Sequence, residues 1–231
     1  MCINYRFVQV NFLKSCVLKS PHKGQKKSPP LRLCSPPPPF LTTAMALDLS
    51  SMSTAQKSVL VLVGVLGPSI LASYIPIVLR QRSSANNFDF WLGMPRPLLP
   101  LLYFLMLLAG GGFLAVITDY LQKQPVDGLF AKHPAVFPAV VGTILVSSLL
   151  WSFFVLGLST ASSNSRRKLF LILSSLTLAG TGIGAVLLLA GTAERPDPPA
   201  LVLGGALAFA LVTVLVDGVA WNARSIVQSL K

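Results

Sequence analysis

The sequence predicts an all-α membrane protein, a bundle of about five transmembrane helices. Three observations carry that expectation. Of 231 residues, 53 % are apolar and only 11 % are charged, against about 25 % charged in an average soluble domain. The mean hydropathy is strongly positive, +0.69, so a water-soluble surface cannot be built from what is left. The apolar residues fall in five continuous runs, each near the ~20 residues that cross a bilayer as a helix. Because the runs are continuous and not alternating, they exclude a β-barrel.

The elements follow in order. Residues 1–57 form a basic, Pro-rich tail. It holds seven cations, Arg6, Lys14, Lys19, Lys23, Lys26, Lys27 and Arg32, before the first acid, Asp48. The stretch "KSPHKGQKKSPPLRLCSPPPPF" is aperiodic and too polar to bury a core. It reads as disordered or as an organelle transit peptide; an upstream extension of the reading frame ahead of Met45 explains it equally well. The membrane domain is expected over 58–231, with spans near 58–79, 98–118, 134–161, 169–193 and 200–221. The first four carry no charged residue and the fifth carries one, Asp217.

Charges in the loops orient the bundle. Arg80, Arg82, Arg96, Arg166, Arg167, Lys168, Arg224 and Lys231 share one side. Lys57, Lys123, Lys132 and Arg195, with Glu194 and Asp197 beside the last, share the other. The positive-inside rule then directs the C-terminus to the cytosol. The high pI does not point to nucleic acid, because its excess sits in a tail with few aromatics and the remainder is apolar. An integral, multi-pass position in an organelle membrane, mitochondrial, plastid or ER, is the expected location.

Several chemistries lack their residues. Cys2, Cys16 and Cys34 all fall in the tail, so no thiol chemistry is expected in the bundle. His22 and His133 both lie outside the span centres, which excludes a bis-histidine haem bundle. No catalytic set, metal cluster or phosphate loop is present in pattern, so no catalytic residue and no metal is assigned. An enzyme of the membrane isomerase or cyclase type would have to use Asp217 or Asp119 as its acid.

The residues with functional potential are few. Asp217, an acid inside a span, is costly in lipid and often functional there, or else it caps the helix at the interface. Trp91, Trp151 and Trp221 are belt anchors or ring surfaces for a ligand. Trp151 stands among Ser147, Ser148 and Ser152, which favours a face turned to other helices. The first loop carries Phe88, Phe90 and Trp91 and is stiffened by Pro95, Pro97 and Pro100, as a lid over a pocket would be. Gly180/Gly184, Gly204/Ala208 and Gly110–Gly112 are small-residue seams for close helix packing, within the chain or in a dimer. "VITDYLQK", through Val116, Tyr120 and Lys123, fits the loose cholesterol-contact pattern. "SNSRRK" reads as a tight basic turn between the third and fourth spans.

Some of these residues also carry a resemblance. "LYFLMLLA" in the second span resembles the LYxLMGxA run of the tryptophan-rich sensory protein/translocator protein (TspO) family at Leu102, Tyr103, Leu105, Met106 and Ala109, with Leu107 in place of the glycine. "LLWSFF" resembles the family's LNxxWSxxFF pattern at Trp151, Ser152 and Phe154. "VDGLFAKHP" is similar to plant members. Asp217 stands four residues before Trp221, where the family has an asparagine. "WLGMPRPLLP" is shorter than the family's W…KPxWxPP loop and lacks its second tryptophan, and the asparagine before Trp151 is absent. The resemblance, covering 58–225 in outline, implies a five-helix bundle with a pocket beneath the first loop. It implies binding of a porphyrin or sterol by Tyr103, Trp151, Phe154, Asp217 and Trp221, and assembly as a homodimer; Trp91 of the first loop is a further ligand-binding candidate. The leading functional expectation is therefore binding or translocation of a hydrophobic small molecule, tetrapyrrole or sterol. The alternative is a non-catalytic accessory subunit of a larger organelle membrane complex. Membrane lipid is the expected surrounding in either case.

Overall fold

The computed structural model describes residues 49–82, 96–123 and 127–229. The N-terminal tail up to residue 48 and the aromatic part of the first loop, with Phe88, Phe90, Trp91 and Pro95, lie outside the described residues. All regular structure among the described residues is helical: α1 Thr54–Arg82, a 3-10 turn Arg96–Leu98, α2 Leu99–Gln122, the single turn α3 Leu129–Lys132, α4 Val136–Thr160, α5 Asn164–Ala193, α6 Ala200–Val212, a π-helical segment Thr213–Trp221, and α7 Asn222–Ser229. Five of these helices, the fifth running from α6 through the π segment, are long and apolar enough to cross a membrane.

Each helix begins where its local chemistry permits. Ahead of α1, Ser53 and Gln56 form a reciprocal capping box. The Gln56 N–H donates to Ser53 Oγ at 3.3 Å and the Ser53 N–H donates to Gln56 Oε1 at 2.9 Å, which satisfies two orphan donors together. The first turn of α2 contains Pro100, whose missing N–H costs nothing there. Ser163 caps α5 by accepting from the Arg166 N–H at 3.4 Å. This corrects the expected turn: the cations Arg166, Arg167 and Lys168 belong to the first turns of α5, and the link from α4 is only residues 161–163. At 30 residues, α5 is about 45 Å long at 1.5 Å per residue. It therefore outreaches a ~30 Å hydrocarbon core and carries its basic turn beyond it. The second span is also longer than expected, running to Gln122 and taking Asp119 into the helix.

Packing neighbours run α1 to α4, α4 to α5, α5 to α6 and the π segment, and α6 to α2, with α2 touching α1 to close the ring. The core inside this ring holds Phe137, Ile77, Leu188, Val59, Val141 and Val155 fully buried. Its outside is apolar as well: Leu71, Leu107 and Leu201 are among the most exposed residues of the bundle. Such a surface is stable only with lipid as solvent.

Backbones meet where side chains are absent. A Cβ on Gly112 would collide with the Gly205 carbonyl, and one on Gly205 would lie 2.9 Å from the Gly112 oxygen, so α2 and α6 touch main chain to main chain. Gly180 and Gly184 seat Ser147 and Ile144 of α4, so this GxxxG is used within the chain. Gly110, Gly111 and Gly204 meet nothing within 4 Å. Val116 and Tyr120, from the cholesterol-like pattern, face inward: Tyr120 stacks on Phe137 with ring centroids 3.6 Å apart.

One end of the bundle is tied by polar contacts. Gln56 Nε2 donates to the carbonyls of Tyr120 and Leu121 at 3.0 and 3.2 Å, joining α1 to α2. Asp119, nearly buried, accepts from Arg195 Nη1 at 2.5 Å and lies 3.8 Å from Lys123 Nζ. Gly128, at φ +87°, lets the chain turn into α3 with its backbone against Glu194 and Arg195.

Candidate functional site

Away from that tied end, five helical elements turn side chains toward one another, four of them polar or aromatic ones. α1 contributes Tyr74, α2 Met106, α4 Ser148 and Trp151, α5 Leu178 and Thr181, and the π segment Asp217 with its last residue Trp221. Together they line a cavity of about 40 Å³. That is room for about three water-sized spheres.

The π segment explains how Asp217 and Trp221 come to share it. Hydrogen bonding from i to i+5 widens the helix and aligns residues four to five apart. Thr213, Asp217 and Trp221 then lie along one side, with Thr213 and Trp221 buried. Such segments are rare and concentrate at functional sites. On α4, Trp151 is only 5 % exposed, turned inward as the flanking serines imply. Its ring lies 5.9 Å from Trp221 at 74°, edge to face, and 6.1 Å from Tyr74 at 52°. Both pairs fall in the separation range of favourable aromatic contacts.

The aliphatic hydroxyls and the carboxyl of the wall offer acceptors, beside the indole N–H groups of Trp151 and Trp221 and the Tyr74 hydroxyl. Ser148 Oγ donates to the Ile144 carbonyl at 2.8 Å and Thr181 Oγ1 donates to the Thr177 carbonyl at 3.1 Å. Each hydroxyl spends its proton on its own helix and keeps only lone pairs. Asp217 adds a carboxylate. The ion pairs among the described residues are those of Asp119 with Lys123 and with Arg195; Asp217 takes part in neither. Asp217 and Tyr74 are the titratable side chains of the wall. The arrangement can hold a small cation or a hydrogen-bond donor among aromatic faces.

Behind Leu178 lies a second space. A groove of about 460 Å³ opens on the outer face between α5 and the π segment, lined by Leu178, Gly182, Ile183, Val214, Val219 and Asn222 among others. Asn222 Nδ2 donates to the Gly218 carbonyl at 2.7 Å, while its Oδ1 is buried without a hydrogen-bond partner among the described residues.

Of the residues expected from sequence, Trp151, Asp217 and Trp221 converge here. Tyr103 and Phe154 are not among the lining residues: Tyr103 is half exposed one turn before Met106, and Phe154 is half-buried. Trp91 lies outside the described residues. Tyr74, Ser148, Thr181 and Met106 complete the site. A hydroxyl within an apolar span was the available signal for the first three, since such a group needs a partner away from lipid. Among the described residues no group of three or more His, Cys, Asp or Glu is placed to hold a metal ion. No family model, curated protein or solved structure matches the chain.

Proposed function

We propose that this multi-pass membrane protein binds a hydrophobic small molecule within its helix bundle, and carries or presents it there. The observation that carries the reading is the carboxylate of Asp217, unanswered by any described cation, set beside Trp151 and Trp221 in a span that is otherwise apolar. A charge in that position is expensive; a ligand that meets it with a polar group offsets the cost. Aromatic faces supply the apolar contact. At about 40 Å³ the cavity is far below the ~300–1,000 Å³ of pockets that enclose drug-sized ligands. It therefore receives the polar end of the molecule, and the bulk rests elsewhere or opens the bundle.

Tetrapyrroles and sterols, the classes implied by the TspO resemblance, are the first probes. Quenching of tryptophan fluorescence by protoporphyrin IX, and separately its change on adding cholesterol, is followed for the detergent-purified chain and for Trp151→Phe. Saturable micromolar binding, weakened several-fold by the substitution, is expected for at least one probe. Linear partitioning of both, unchanged in Trp151→Phe, would sink this reading.

A second reading has its own support. Gly110, Gly111 and Gly204 leave the outer faces of α2 and α6 open to close approach, as a docking face in a homodimer or a larger membrane complex would require. An organelle membrane with the C-terminus in the cytosol remains our proposal from the loop charges. Co-migration with a larger assembly after mild solubilisation would move the weight to this accessory-subunit role.

A further inference from the structure

Resting on that binding reading, we infer the ligand class: an amphiphilic amine, with its ammonium head in the Asp217 cavity and its apolar chain in the groove beyond Leu178. Three features of the cavity ask for a cation. Asp217 brings a carboxyl group that a cation can hold in its charged form, and the ion pairs of the described residues lie elsewhere, at Asp119. Ser148 and Thr181 have committed their protons to the Ile144 and Thr177 carbonyls, so they meet a ligand as acceptors. Tyr74, Trp151 and Trp221 surround the same space, and electron-rich ring faces beside a carboxylate are the arrangement that recognises substituted ammonium groups. A neutral hydroxyl would satisfy one acceptor and leave the charge unanswered.

Size divides the ligand in two. About 40 Å³ takes a methylated ammonium head and no ring system. The groove is more than ten times larger, about 460 Å³, and its wall is apolar apart from Asn222. Leu178 lines both spaces and is itself buried, so its side chain lies at the boundary between the Asp217 cavity and the outer groove. Gly182 lines the groove, and a Cβ there would have only ordinary contact with Val214 at 3.8 Å. An amine partitioned in the bilayer already has its chain at the groove, and displacement of Leu178 admits the head.

The test uses the full chain in dodecyl maltoside micelles, which carry no charge. The probes are N,N-dimethyltetradecylamine and its uncharged counterpart tetradecyl methyl ether. Tryptophan emission is recorded against the mole fraction of probe in the micelle. The amine is expected to saturate, with the ether at least tenfold weaker. Asp217→Asn is expected to remove that preference. Gly182→Leu, which places its side chain in the groove, is expected to weaken the tetradecylamine at least tenfold while leaving dimethylammonium, a head without a chain, unaffected. Circular dichroism of each variant checks that the helices are retained. Equal binding of amine and ether, or a preference that survives in Asp217→Asn, would overturn the cation assignment. If protoporphyrin IX or cholesterol saturates while the amine does not, the amine inference alone falls. If none of these probes saturates, the binding reading falls with it.

Discussion

Alanine placed at two adjacent glycines of α2 should have opposite effects. Gly111 and Gly112 are both helical, so replacing either removes the same backbone entropy cost, a gain of about 1 kcal/mol. Gly111 is exposed and a Cβ there meets nothing within 4 Å, so Gly111→Ala should realise that gain. At Gly112 the added carbon would strike the Gly205 carbonyl, with the carbonyl carbon at 2.9 Å and Cα at 3.0 Å. All three obstructing atoms are backbone, so no rotamer change relieves the overlap. The helices must part by roughly half an ångström or more, which forfeits a quarter to a half of the dispersion energy of each facing contact. Overpacking of this kind costs about 1–3 kcal/mol. Because the propensity gain is common to both variants, the difference between them isolates the collision. We expect Gly112→Ala to be less stable than Gly111→Ala by about 1–3 kcal/mol. Equilibrium unfolding in dodecyl maltoside with rising SDS mole fraction, read by tryptophan fluorescence, measures it. Equal shifts in the two variants would show that α2 and α6 do not meet backbone to backbone, and the packing order of the helices would fail with them.

Three further outcomes follow from the same geometry. Asp119→Asn leaves Arg195, only 21 % exposed, without its charged partner, and should cost about 2 kcal/mol, the worth of a hydrogen bond to a charged group; no change in SDS midpoint would mark the pair as incidental. Gly128→Ala forces a Cβ onto φ +87° with ψ −171°, a region open essentially to glycine alone and costing about 1–3 kcal/mol, visible as a lowered midpoint, whereas an unchanged midpoint would mean the turn into α3 is not held. Asp217→Asn removes a charge that no described cation answers, and should stabilise the ligand-free protein by about 1 kcal/mol while weakening ligand binding, the usual exchange of stability for function at a site; a destabilised variant would make Asp217 a structural residue instead.

Much of the bundle is legible in the sequence. A span needs only length and apolarity, so five runs give five helices, and the start and stop residues correct their bounds by a few positions. Trp151 was also legible, because serines one turn away mark the face that avoids lipid. What could not be read was which face of each helix meets which neighbour. In water an apolar stripe against a polar face reports this. These helices are apolar nearly all round, with Leu107 outside and Leu188 inside chemically alike, because lipid gives no penalty for either choice. Tyr103 and Met106 share a helix and a motif, yet only Met106 lines the cavity.

The sequence by itself therefore determined the solvent, the spans, the absence of cysteine chemistry from the bundle, and the presence of one acid, Asp217, in the fifth run. The tertiary structure decided the rest. It brought Asp119 into a helix and gave it Arg195, 76 residues away. It widened the last span into a π segment at Asp217. It gathered Tyr74, Ser148 and Thr181 from three other helices around the carboxylate. These are contacts between helices, set by where glycines let backbones approach and by where buried polar groups find one another, and a pattern read along one chain does not contain that information.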